Sequence, residues 1–334
     1  MRKRAVVLLR PPYATGNDAI DRGGETHDRW IRLGAHPHAI TSDDRRQPKL
    51  TGRTRTIVER PSDVPKGFAR MSVHPVSTTL SATVLALRRA GCVFAEDEAL
   101  LLHEAAASPD ELSALVEHRA AGLPLEHVLG WAEFRGRRFS VDTGVFVPRR
   151  RTEFLVAQAA ALAPRRAVVV DLCCGSGALG VALADASDTA ELHACDVEPA
   201  AVRCARRNVG DMGEVYEGDL FAPLPGGLRG RVDVLLANVP YVPTADVALL
   251  PAEARVHEPR VALDGGGDGL DVMRRVAAEA PEWLAPGGSL LVEAGERQRD
   301  TAVEVLRSAG LTPRVLVSEE LYATVLVGTA LRIT

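Results

Sequence analysis

At 334 residues the chain has room for one large domain and a smaller companion, and it contains no run of about 18 apolar residues that would span a membrane. The net charge of −4 conceals an asymmetry: residues 1–70 carry 15 Lys and Arg against 8 Asp and Glu, so the remainder is strongly acidic. An acidic body argues against tight, non-specific duplex binding, which needs many phosphate-neutralising cations. Five cysteines without a C-x-x-C pair argue against a disulfide framework or a zinc site, and point to a reducing cytosol.

Residues 1–70 are rich in Arg, Asp, Gly and Pro without sustained periodicity, and read as a disordered tail or a non-native extension; Met71 opens a new composition. The apolar run Ala5–Leu9 is too short for a signal-peptide core. Residues 72–128 read as a small helical domain. A first helix, capped by Ser77 or Thr78, runs through Leu80, Val84 and Leu87 to Gly91; a second covers Glu96 to Ala107; Ser108-Pro109-Asp110 opens a third that ends at Gly122-Leu123-Pro124. Its core is thin, which suits a substrate-positioning role. Residues 129–150 alternate loosely through Phe134, Phe139, Val141, Val145 and Val147, with turn signals at Gly136 and Asp142-Thr143-Gly144, and predict a hairpin linker. The three arginines Arg149-Arg150-Arg151 that follow either face an anionic partner or begin a solvated helix.

Residues 151–334 alternate strand and helix. Strands are predicted over Ala167–Leu172, Leu192–Asp196, Val215–Asp219, Val232–Ala237 and Ser289–Glu293, and an antiparallel pair over Pro313–Val317 and Tyr322–Val327 closes the sheet. Helices are predicted between them, including Pro199–Asn208, Asp271–Leu284 and Arg297–Ser308. This is an α/β pattern, a seven-stranded doubly wound sheet.

The loop Asp171-Leu172-Cys173-Cys174-Gly175-Ser176-Gly177 leaves the first of these strands, and its glycines allow a sharp turn and close approach of a ligand. Gly175-x-Gly177-x-x-Gly180 also fits a dinucleotide fingerprint. The acid Asp171 separates the two: it favours a cation, as in S-adenosylmethionine, and would repel a pyrophosphate. Asp196 then takes the ribose hydroxyls, Asp219 accepts from the adenine amine, and Leu220 packs on the adenine face. Cys173 and Cys174 read as small loop residues beside the ligand, not as nucleophiles. No metal is expected.

Leu235-Leu236-Ala237-Asn238-Val239-Pro240-Tyr241 is a buried strand that ends in a polar side chain, a proline and an aromatic. Strand ends are where open α/β sheets place their chemistry. The Asn238 side-chain carbonyl and the Val239 backbone carbonyl are two acceptors for one NH2 group, Pro240 stiffens the turn, and Tyr241 offers a flat wall. Pro148 and Arg149 join them as candidate substrate contacts.

Taken in order, Phe146-Val147-Pro148-Arg149 with Thr152-Glu153, the Asp171–Gly177 loop, Asn238-Val239-Pro240-Tyr241, and Glu258-Pro259-Arg260 with Ala262-Leu263-Asp264-Gly265-Gly266 resemble the release-factor glutamine N5-methyltransferases. The resemblance runs from about Ser77 to the end. It implies an S-adenosylmethionine-dependent, cytoplasmic enzyme with a Rossmann-like catalytic domain, which methylates the glutamine of a Gly-Gly-Gln motif in peptide chain release factors. Three departures mark this sequence. Val239 stands where the family usually has proline, Cys173-Cys174 where Gly-Thr is common, and Arg150 and Arg151 alter a Pro-Arg-Pro-x-Thr-Glu pattern. Two rival functions share the acceptor motif or the fold: an adenine N6-methyltransferase acting on nucleic acid, and a non-catalytic S-adenosylmethionine-binding module.

Overall fold

The computed structural model describes residues 79–331, so the expectations for residues 1–70 and for a cap at Ser77 or Thr78 lie outside the described residues. Thr79 supplies the cap: its Oγ1 accepts the Ala82 N–H at 3.3 Å, satisfying one of the amides that a helix start leaves unpaired. Helix α1 (Leu80–Arg89) packs with α2 (Ala95–Ala105), α3 (Pro109–Ala120) and the one-turn α4 (Leu125–Leu129) around Leu87, Ala99, Leu102 and Leu112. Helix α2 stops short of the predicted Ala107, because Ala106 is already extended and Ser108 must be extended ahead of Pro109. Five-residue α4 is too short to leave a periodic signal.

The predicted hairpin forms over β1 (Trp131–Phe134) and β2 (Arg137–Ser140), joined by Arg135 and Gly136, both at positive φ as a tight hairpin turn requires. It is shorter than predicted. Val141, Val145 and Val147 are buried without strand pairing, packed on Ala201 and Cys204 of the catalytic domain. Their alternation records burial against a helix.

A 3₁₀ turn over Arg150–Thr152 leads into α5 (Glu153–Leu162) and then the sheet: β3 (Ala167–Leu172), β4 (Thr189–Asp196), β5 (Glu214–Glu217), β6 (Val232–Ala237), β7 (Leu284–Glu293), β8 (Thr312–Ser318) and β9 (Ala323–Thr329). Helices α6 (Ala178–Ala186), α7 (Pro199–Val209), α8 (Ala252–His257), α9 (Asp271–Trp283) and α10 (Arg299–Ser308) connect them. The spatial order is β5-β4-β3-β6-β7-β9-β8, parallel except for β9, which runs antiparallel to both neighbours. Strand β7 begins at Leu284 and takes in Pro286-Gly287-Gly288, predicted as a preceding turn. The β6–β7 register shifts between Val232 and Val234, and a Cβ on Gly288 would sit 2.5 Å from the Val232 carbonyl oxygen.

The central strands are buried on both faces, as a parallel sheet under two helical layers demands. Val168, Val170, Leu172, Leu235 and Ala237 face α9 and α10, whereas Val169, Val234 and Leu236 face α5 and α6. Each fully buried leucine or valine contributes about 1.5–3 kcal/mol over its exposed state. The period of two places Asp171 on the α6 side of β3, which fixes what its carboxylate can reach.

Candidate active site

A cavity of about 120 Å³ opens at the carboxyl ends of β3, β4 and β6, where the chain leaves the central strand toward both halves of the sheet. Its lining includes Cys173, Gly175, Asp196, Asp219, Leu220, Asn238 and Pro240, so seven of the sequence-predicted residues meet on one surface. Asp171, Cys174, Ser176 and Gly177 belong to the same loop as Cys173 and Gly175 but do not border the cavity. Val239, Tyr241, Pro148 and Arg149 do not border it.

Asp171 is fully buried, and its Oδ2 accepts the Gly180 N–H at 2.8 Å while Oδ1 has no partner. Burial pushes its carboxyl up to about 7; the Gly180 N–H works the other way and the Asp196 charge adds to the rise. The loop is tightened by Cys174 N–H to the Cys195 carbonyl at 3.0 Å and Gly177 N–H to the Cys174 carbonyl at 2.8 Å. A Cβ on Gly180 would stand 3.0 Å from Asp171 Oδ2, so the third glycine lets helix α6 meet the acid. Cys173 sits at φ +53°, a left-handed conformation that costs a non-glycine residue roughly 1–2 kcal/mol. Leu220, across the cavity, is likewise left-handed at +48°. Burial raises the Cys173 and Cys174 thiols and pushes Cys195 up to about 12, so all three stay protonated and none is primed for attack.

Asp196 ends β4 with Oδ2 accepting the Gly175 N–H at 2.8 Å and Oδ1 the Glu198 N–H at 2.9 Å. Each oxygen keeps a second lone pair for a ligand hydroxyl. Burial raises its carboxyl and these amides oppose the rise. Asp219 lies past the end of β5, and its Oδ2 accepts from Arg275 of α9 at 2.6 Å.

The turn after β6 carries an unpaired acceptor: Asn238 Oδ1 is buried with no hydrogen-bond partner, and Asn238 lines the cavity. A buried carbonyl left unsatisfied costs about 1–3 kcal/mol, so such a group marks a place where a donor arrives. The Val239 side chain turns into the core beside Leu270 and Met273, which is how the fold accommodates valine in a proline position. Tyr241 is held at both ends. Its hydroxyl donates to Glu293 Oε1 at 3.1 Å and accepts from Arg151, and its backbone carbonyl accepts from Gln298 Nε2 at 2.8 Å. Burial pushes the phenol above its ordinary range.

These bonds make Tyr241 an anchor for the turn, and the flat wall expected of it does not border the cavity. Arg151 answers the question posed by the arginine triplet: Nε donates to Glu293 Oε1 at 2.8 Å, and Thr152 Oγ1 donates to Oε2 of the same carboxylate at 2.8 Å. The far wall is Pro259, Val261 and Ala262, with Phe146 beside it. Arg149, predicted to contact substrate, instead donates to both oxygens of buried Glu258 at 2.6 and 2.5 Å and lies over the Phe146 ring, while Pro148 is buried. These residues hold the wall rather than form it. Sequence reasoning missed Phe146, Val261, Val272 and Arg275 as lining residues; the Glu258–Gly266 stretch was visible as a motif, but its place opposite the glycine loop is a tertiary fact.

A seven-stranded sheet in this order, with a glycine-rich loop after its central strand, an acid ending the next strand and an acceptor turn on the fourth, defines a Rossmann-like methyltransferase. Residues 137–275 match the methyltransferase small domain family model. The release factor glutamine methyltransferase of Geobacter sulfurreducens is 42% identical over 209 residues, covering 61% of this chain and 72% of that one. The enzyme of the same name from Mycolicibacterium smegmatis is 38% identical over 253 residues, 72% of this chain and 89% of that one. A solved methyltransferase from Pyrococcus furiosus superposes with a TM-score of 0.44 at 15% identity, over 58% of this chain and 88% of that one. The chain belongs to the release factor glutamine methyltransferase family.

Proposed function

We propose that the protein methylates the N5 side-chain nitrogen of the glutamine in a release factor's Gly-Gly-Gln motif, with S-adenosylmethionine as donor, in the cytoplasm. The observation that carries this reading is the buried, unpartnered Asn238 Oδ1 in the cavity wall. A donor's ribose fits the two open lone pairs of Asp196, its adenine the Asp219–Leu220 corner, and its cationic end the Cys173–Gly175 edge of the loop that follows Asp171. S-adenosylmethionine supplies an electrophilic methyl, whose S–C bond breaks as the N–C bond forms.

The protein's part is positional. An amide nitrogen is a poor nucleophile because its lone pair is delocalised. Asn238 Oδ1 accepts one of its hydrogens, and the backbone carbonyl of the next residue, Val239, whose side chain lies in the core outside the cavity lining, is assigned the other; together they fix its orientation and favour positive charge developing on nitrogen. The turn that bears these acceptors is held by Glu293, Arg151 and Gln298 through Tyr241. The surplus proton leaves to water. All five cysteines are free thiols, which agrees with a reducing compartment, and among the described residues no helix is long and apolar enough to cross a membrane.

Incubation with methyl-labelled donor and either purified release factor or nucleic acid tests this reading. Label is expected on the release factor glutamine, and Asn238→Ala is expected to lower the rate at least 100-fold while S-adenosylhomocysteine affinity by calorimetry changes little. Label on adenine would establish the nucleic-acid rival, and near-normal turnover by the variant would remove Asn238 from its role.

A further inference from the structure

The loop after β5 and the first turns of α9 meet at the cavity mouth through one ion pair. Arg275 NH2 donates to Asp219 Oδ2 at 2.6 Å, and both residues line the cavity together with Leu220 and Val272. The side chains are 52% and 58% exposed, so as a surface pair the contact contributes little to folding. Its location is what distinguishes it. Asp219 follows a glycine at φ +159° and precedes left-handed Leu220, in a loop without strand pairing to hold it. The guanidinium engages Oδ2 and leaves Oδ1 to accept from a ligand. The hydrogen bond to Asp219 also raises the Arg275 guanidinium above its ordinary value.

We infer that Arg275 is a positioning residue for nucleobase recognition: it orients the Asp219 carboxylate so that the cavity selects a purine carrying an exocyclic amine over one carrying an oxo group. This rests on the cofactor reading above and extends it to a residue on α9. An amine at that place donates to Oδ1. An oxo group presents an acceptor to a fixed carboxylate, which leaves both oxygens unpaired and facing each other. Without the arginine, Asp219 rotates into solvent, and the penalty against the oxo base falls because the carboxylate can hydrate.

The test is the ratio of affinities for S-adenosylhomocysteine and S-inosylhomocysteine, measured by titration calorimetry on the full chain. The wild type is expected to prefer the adenosyl ligand by roughly 10-fold or more, the size of a charge-assisted hydrogen bond. Arg275→Ala should reduce that ratio several-fold, and Arg275→Lys should restore part of it. Asp219→Ala should bring the ratio near one, and adding Arg275→Ala to it should change nothing further. A general loss of packing would weaken both ligands equally and leave the ratio intact, which would overturn the inference; so would a wild-type ratio of one. Failure of the wild type to bind either nucleoside would refute the cofactor reading itself, an outcome distinct from the other two.

Discussion

Asp171 and Asn238 each hold a buried oxygen without a partner, and the two orphans differ in kind. Asn238 is neutral, so its cost is a missing hydrogen bond. Asp171 is ionisable, so its cost depends on pH. Its carboxyl is raised from near 4 to about 7, chiefly by burial. Between those values the folded chain keeps the proton that the unfolded chain has released, and stability therefore falls as pH rises through that window. Asp171→Asn removes the titration. In the absence of ligand the variant should gain on the wild type by about 2–3 kcal/mol between pH 5 and pH 8, read from urea midpoints at each pH. A difference between the two proteins that does not change with pH would show that Asp171 does not titrate in this range. A bound cation above the loop would lower the same pKa, so the residue that makes the empty loop sensitive to pH is suited to a sulfonium-bearing ligand.

At the scale of elements, the acceptor turn is built by the segments packed against it. The Gly265–Gly269 loop before α9 runs along its backbone: a Cβ on Gly265 would lie 2.6 Å from the Pro240 carbonyl oxygen, and one on Gly269 2.3 Å from that of Tyr241. Gly269 also needs its φ of +81°, so Gly265 gives the cleaner probe. A Cβ at Gly265 meets the Gly269 carbonyl oxygen at 2.5 Å as well as that of Pro240, and Gly265→Ala is expected to wedge the two segments apart and tilt Asn238 with Pro240. A displacement of about 1 Å can cost 100-fold in rate, so turnover should drop between 10- and 100-fold with S-adenosylhomocysteine affinity held within a few-fold. Single-turnover kinetics beside calorimetry separates the two; equal losses in both would show that the glycine supports the cavity as a whole. The sequence made the turn itself legible, because a buried strand ending in Asn-Val-Pro-Tyr has few other uses. The glycine run was legible as a loop, but not as the partner of that turn, since 23 residues, helix α8 among them, intervene between Tyr241 and Gly265. Tyr241 and Arg149, expected at the substrate, lie outside the cavity lining for a related reason. Aromatic and guanidinium groups at a motif suggest ligand contact, and a sequence cannot show that Glu293 and Glu258 arrive from distant strands and loops to occupy them.

Across the whole molecule, the alternation from Ala167 onward was enough to predict the sheet, while the attachment of the helical domain to it was not readable. Beside the His127–Val145 hydrogen bond and the Arg138–Glu104 pair, part of that attachment runs through Arg119 of α3. Its Nε and NH2 donate to Glu98 of α2 at 2.6 and 3.2 Å, its NH1 reaches Glu253 of α8 at 2.7 Å, and Arg119 and Glu98 are each 6% exposed. A buried guanidinium between two carboxylates, one from each domain, is poor evidence of net stability but costly to break from one side. The helical core is small, with six buried apolar residues among the described residues, and a core of that size is marginal when it stands alone. Arg119→Met should therefore do two things. It strands the Glu98 charge, lowering stability by about 3–5 kcal/mol, and Glu98→Gln in the same chain should recover a substantial part of that loss. It also uncouples the domains, so amide hydrogens in α1–α3 should exchange faster by orders of magnitude while those in β3 and β6 stay protected. Uniform acceleration across both domains would mean that they unfold as one unit and that the arginine is an ordinary buried pair. If the domains do separate, turnover on an intact release factor should suffer more than donor binding, since the donor cavity is lined by residues 146–275 and none of the four helices reaches it.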